Sequence, residues 1–145
     1  MAPKPGQSKE QQEAEAYMIG KFSEELGHPL KQDRFDLANS GYAKVDGVSE
    51  SPPVLCEAWA HIGKVRSAQN DKVMTDALKL VFLERSVGKP SRKVLLLSDE
   101  VARKNFTGRS WGAACLAHFS IETKVIDLPE DLRARVLEAQ KRQYR

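Results

Sequence analysis

The chain has 145 residues, enough for one domain with one core and too few for two. A hydrophobic fraction of 41% and a charged fraction of 30% are those of a soluble globular protein. No apolar run approaches the ~20 residues that a membrane helix needs. The net charge of +3 is compatible with a polyanionic partner without requiring one.

Met1 to Ser8 is rich in Pro, Gly and Lys with no apolar stretch, and reads as a flexible tail ahead of a single domain over 9–145. From Lys9 to Leu26 the apolar positions Ala14, Tyr17, Met18, Phe22 and Leu26 recur at helical spacing, and Gly27 follows as a cap. Arg34 to Asn39 and Tyr42 to Ser49 alternate polar and apolar residues around a Ser40-Gly41 turn, which predicts a hairpin. Pro52-Pro53 breaks the chain before a third strand, Val54 to His61, and the short connections make all three antiparallel.

Ser67 is a candidate N-cap for a helix over about Ala68 to Arg85, closed by Gly88-Lys89-Pro90. The continuous apolar run Lys93 to Ser98 predicts a strand covered on both faces. Ser110 starts a short helix through Phe119, Ile121 to Ile126 returns as a strand, and Pro129 precedes a last helix, Glu130 to about Arg142. The order α-β-β-β-α-β-α-β-α predicts an α/β fold, a single mixed central sheet flanked by helices.

Chemistry concentrates between Tyr42 and Lys79. Glu57 shares a strand face with Trp59 and His61, and a carboxylate in an apolar strand needs a cation or another partner. Its structural alternative is a salt bridge to a helix residue. Asp46 precedes Gly47, a common turn dipeptide, so plain turn chemistry is its alternative. On the following helix Gln69, Lys72, Asp76 and Lys79 lie along one edge, with Val73, Ala77, Leu80 and Val81 beside it and Met74 and Leu78 further round the apolar face. An ordinary solvated face with a Lys72–Asp76 or Asp76–Lys79 ion pair is the bland account of that edge.

These residues and the element order resemble the PD-(D/E)xK nuclease superfamily, the restriction-endonuclease-like fold, over about Glu13 to Asp127. In that family one acid sits on the second strand of the meander, and an acid and a lysine sit as D/E-x-K on the third. Asp46 matches the first acid and Glu57 the second, while Trp59 stands at the lysine position. The resemblance implies that a lysine of the next helix, Lys72, takes that role. Gln69 then resembles the helix glutamine of some branches, and Glu15 or Glu13 a metal-binding glutamate of the first helix. Asp76 and His61 would support the site, His61 as a proton-transfer group if not simply a polar strand end.

The implied activity is Mg²⁺-dependent hydrolysis of phosphodiester bonds, in DNA rather than RNA, with Mn²⁺ as a substitute ion. Asp46, Glu57 and the carbonyl of Ala58 would bind the metal. The alternative is a catalytically inactive module of the same fold that binds nucleic acid or a protein partner; a general α/β interaction protein is a third reading. Family members often dimerise to cut both strands, so a second copy or a separate recognition protein is the expected protein partner.

Elsewhere the signals are weaker. His28, His61 and His118 lack zinc-site spacing, and no glycine-rich loop has nucleotide-binding spacing. Asp99 and Glu100 follow the buried strand, where α/β folds place functional groups. Lys89, Arg92, Lys93, Arg103, Lys104 and Arg109, and at the other end Arg133, Arg135, Lys141, Arg142 and Arg145, are candidate phosphate contacts or a solvated surface. Trp59 and Trp111 read as core. Cys56 and Cys115, without CxxC spacing, read as core thiols of a cytoplasmic protein.

Overall fold

A computed structural model describes residues 8–143 of the chain. The expected tail lies outside the described residues except for Ser8, and so does Arg145 of the carboxy-terminal basic cluster. The elements are α1 (Lys9–Leu26), β1 (Lys31–Asp36), β2 (Tyr42–Glu50), β3 (Pro53–Trp59), α2 (Ser67–Val87), β4 (Arg92–Leu97), α3 (Glu100–Lys104), α4 (Trp111–His118), β5 (Ile121–Val125) and α5 (Glu130–Gln143). The fold is α/β with one mixed sheet of five strands in the order β1-β2-β3-β4-β5. β1, β2 and β3 form an antiparallel meander, and β4 and β5 run parallel to β3.

Helices cover both faces. On one, Ala14, Met18 and Phe22 of α1 and Leu132 and Val136 of α5 pack on Val54, Cys56, Ala58, Val94 and Leu96. On the other, Val73, Ala77, Leu80 and Val81 of α2 and Leu116 of α4 pack on Val45, Leu55, Trp59, Leu95 and Leu97. Where length suggested one core, the sheet divides it into two, and the alternation of β3 and β4 serves both, which is why both strands read as unbroken apolar runs.

Local signals set most element ends. Ser8 caps α1, its Oγ accepting the Gln11 N–H at 3.0 Å, and Gly27 closes it at φ 71°. The cap of α2 is Arg66 in place of Ser67, which is the first helical residue; the Arg66 N–H donates to Gln69 Oε1 at 2.8 Å. β1 begins and ends three residues earlier than its alternation suggests, because Leu37 to Gly41 closes the hairpin, with the Leu37 N–H on Gly41 O at 2.8 Å. Its first four residues are exposed, so burial gives the pattern little to report. The five-residue α3 has no counterpart in the sequence reading; its single buried residue, Ala102, leaves no periodicity to detect.

Two apolar side chains depart from their expected places. Leu78 is 70% exposed on the outer side of α2, since Val73, Ala77 and Leu80 already fill the face toward the sheet. Trp111, the first residue of α4, is 75% exposed, while Gly112, Ala113 and Leu116 are buried. Trp59 is core as expected. Cys56 and Cys115 are free thiols, Cys56 buried and Cys115 half-buried. Among the described residues no helix is long and apolar enough to cross a membrane.

Candidate active site

The site forms where β2 and β3 part. Their ladder runs from Glu50 opposite Pro53 to Gly47 opposite Cys56. On the other side of β2, the register with β1 passes from Lys31–Val48 to Asp33–Val45, so β2 carries one extra residue in a bulge around Asp46-Gly47. Val45 and Val48 consequently both face the α2 side, although three positions apart. Gly47 is pressed toward α1: a Cβ there would lie 3.1 Å from Ile19 Cδ1 and 3.3 Å from Leu30 Cβ. Asp46 is therefore a strand residue at a bulge, and the turn reading of Asp-Gly is corrected by the sheet pairing on both sides of it.

Beyond Gly47–Cys56, side chains span the gap. The Asp46 N–H donates to Glu57 Oε1 at 3.2 Å, and the Ala58 N–H donates to Asp46 Oδ2 at 3.0 Å. Each acid thus satisfies a backbone donor of the opposite strand where the ladder has opened. Past Trp59 two further donors find side chains: the Ala60 N–H reaches Glu15 Oε2 at 3.1 Å and the His61 N–H reaches Ser98 Oγ at 2.9 Å. This is why β3 ends at Trp59 and not at His61.

Charge accumulates around these acids. Glu57 is 5% exposed on the α2 face of the sheet, and Lys79 Nζ lies 3.1 Å from its Oε1. The same ammonium donates to Lys44 O at 2.8 Å. Burial, and next to it the charge of Asp46, pushes the Glu57 carboxyl up to about 8. Glu15, also buried, is raised to about 7, mainly by burial, with Lys72 opposing and Asp46 adding to the rise. Lys72 pairs with Asp76 at 2.7 Å. Burial works against its ammonium, but Asp76, Glu15 and Glu57 together outweigh it and hold Lys72 above its ordinary range.

Asp46, Glu57, Lys72, Asp76 and Glu15 therefore belong to one electrostatic cluster, drawn from α1, β2, β3 and α2. Glu13 does not join it; its carboxylate pairs with Arg135 at 2.9 Å on the exposed side of α1. Gln69 holds the α2 terminus through Oε1. His61 stacks on Trp59 with ring centroids 4.6 Å apart, its Nε2 is 2.8 Å from Lys64 O, and burial lowers its pKa. Its ring thus serves the loop after β3. Asp99 Oδ2 accepts the Gly63 N–H at 2.8 Å, a loop contact as well.

Lys79 is the residue that sequence reasoning placed on the right edge and left out of the site. Its signal was its spacing of three and seven from Asp76 and Lys72, which keeps it on the edge facing β3. The ion pair of Glu57 with a helix residue, one of the two readings of that acid, is present in this contact.

The basic clusters are mostly paired with acids. Arg92 meets Glu122 at 2.6 Å, Lys93 meets Glu84 at 2.8 Å, Arg103 meets Glu100 at 3.1 Å, and Arg135 and Arg142 of α5 meet Glu13 and Glu10 of α1.

For a metal, Asp46 and Glu57 offer hard oxygen donors, and the raised Glu57 is an acid crowded by a second acid, a repulsion that a divalent cation relieves. Among the described residues, no three His, Cys, Asp or Glu side chains are gathered to hold a metal ion. Two carboxylates are within the number that an ion of the Mg²⁺ type takes, the rest of its shell being water and phosphate oxygens. In comparisons with known proteins, no family model, no curated protein and no solved structure matches the chain.

Proposed function

We propose that this chain is a Mg²⁺-dependent nuclease of PD-(D/E)xK type that hydrolyses phosphodiester bonds in DNA. The observation that carries this reading is the opening of the β2–β3 ladder at Asp46 and Glu57, with Lys79 of the next helix on Glu57 and the charge of Lys72 acting on it from further off. Asp46 and Glu57 would hold the ion, with Mn²⁺ able to replace Mg²⁺. A bound Mg²⁺ supplies Lewis acidity, polarising the phosphodiester and making water a competent nucleophile at neutral pH.

The remaining work falls to protein groups. Asp46 and Glu57 are fixed by the backbone donors of each other's strands, so their geometry is set before substrate arrives. Lys72, kept charged by Asp76, Glu15 and Glu57, stabilises negative charge that develops on the phosphoryl oxygens. Glu15 anchors the end of β3 through the Ala60 N–H and contributes negative potential from the α1 side.

A second reading, an inactive module of the same architecture that binds nucleic acid or a protein partner, is favoured by one observation. Trp59 fills the strand position of the family lysine and is packed in the core against His61.

Calorimetric titration with Mg²⁺ and Mn²⁺, followed by cleavage assays on single-stranded, duplex and branched DNA, separates the two. The wild type should bind metal and cut, and the D46A plus E57A double variant should lose both. Salt-sensitive DNA binding without metal-dependent cleavage would establish the inactive module instead.

A further inference from the structure

Glu57 Oε1 receives two donors, the Asp46 N–H at 3.2 Å and the Lys79 ammonium at 3.1 Å. A Mg²⁺ ion on Oε1, at about 2.0–2.1 Å, leaves no room for the ammonium there, and an ion on Oε2 of the same carboxylate repels it as a close like charge. We propose that Lys79 is a built-in competitor for the cation, so that a divalent ion takes Glu57 only as Lys79 leaves it. This rests on the metal-site reading above and adds a control on when that site fills.

Three features suit Lys79 to this exchange. Its ammonium has a second anchor, Lys44 O at 2.8 Å on β2, so leaving Glu57 does not strand it without an acceptor. Its side chain is 28% exposed against 6% for Glu57, so water can solvate the lysine after it moves while the acid stays in place. Glu57 is held from the other side by the Asp46 N–H, which fixes the carboxylate when its cation changes.

Lys72, at 40% exposure no less open to water than Lys79, differs in what it holds. Its ammonium is committed to Asp76 at 2.7 Å and acts on Glu57 through its field without a contact. Lys72 is thus the standing charge and Lys79 the group that yields.

Calorimetry with Mg²⁺ on the wild type, Lys79→Met and Lys72→Met, compared at the high-pH limit of each so that no proton competes for Glu57, tests the idea. Lys79→Met should bind at least about tenfold more tightly than the wild type, with a smaller gain in Lys72→Met, since removing a contacting charge outweighs removing a remote one. In the wild type, acetylation of Lys79 read by mass spectrometry should speed up on adding Mg²⁺. Unchanged or weaker binding in Lys79→Met, beside normal binding in the wild type, overturns the competition and leaves the metal site standing. Binding by Lys79→Met alone supports the proposal in its strongest form. If neither protein binds metal, the site reading itself falls and this inference falls with it. Should Lys79→Met fail to fold by circular dichroism, the labelling decides: Lys79 reactivity unmoved by bound Mg²⁺ overturns the proposal.

Discussion

Glu57 is a carboxylate that the fold removes from water and sets beside another acid, and its proton affinity records both facts. From an ordinary value of 4.5 it rises to about 8, and Glu15 rises to about 7. Between those limits the folded chain holds protons that the unfolded chain has released, so stability falls as pH rises through the window. The groups facing Glu57 are Asp46 from β2 and Lys79 and Asp76 from α2, with Lys72 acting at longer range. Replacing Glu57 by Gln should flatten the decline, by on the order of 5 kcal/mol across the window. Urea melts of both proteins in metal-free buffer at a series of pH values check this; parallel slopes would mean that Glu57 ionises as it does in the unfolded chain.

Among the elements, β2 contributes most to the site, because its bulge decides where Asp46 points. The bulge depends on Gly47, whose missing Cβ lets the strand lie against Ile19, Leu30 and Cys56. Gly47→Val should therefore overpack the α1 side, costing about 1–3 kcal/mol in chemical denaturation, and weaken metal binding by displacing Asp46. A variant of unchanged stability and metal affinity would show that α1 yields freely and that the bulge does not need this glycine. α2 contributes differently: Val73, Ala77 and Leu80 clamp it to the sheet, and that clamp turns Lys79 toward Glu57.

At the scale of the whole molecule the sheet separates two cores, and the candidate site draws on both faces. α1, which supplies Glu15, is held by α5 through Leu132 and Val136, and at the rim by the Glu13–Arg135 and Glu10–Arg142 pairs. Leu132→Ala should cost about 2–5 kcal/mol, the range for opening a cavity in a packed core, measured by thermal or urea unfolding. The exposed rim pairs add little to that hold, since water screens them.

The amino-acid sequence by itself determined the helices other than α3, the antiparallel meander, the mixed sheet and the division of β3 between two faces, because capping, periodicity and turn chemistry are local. It also brought forward Glu57, an acid among apolar strand residues, and Asp46 through the family resemblance. It could not show the bulge, which is a mismatch between two paired strands, nor choose Glu15 over Glu13, which differ only in the face of α1 they occupy. The partner of Lys79 was equally out of reach, because several acids lie within the range of a lysine side chain until α2 is docked on the sheet. Those choices belong to tertiary structure, where packing fixes which charges share a space and burial sets how strongly they interact.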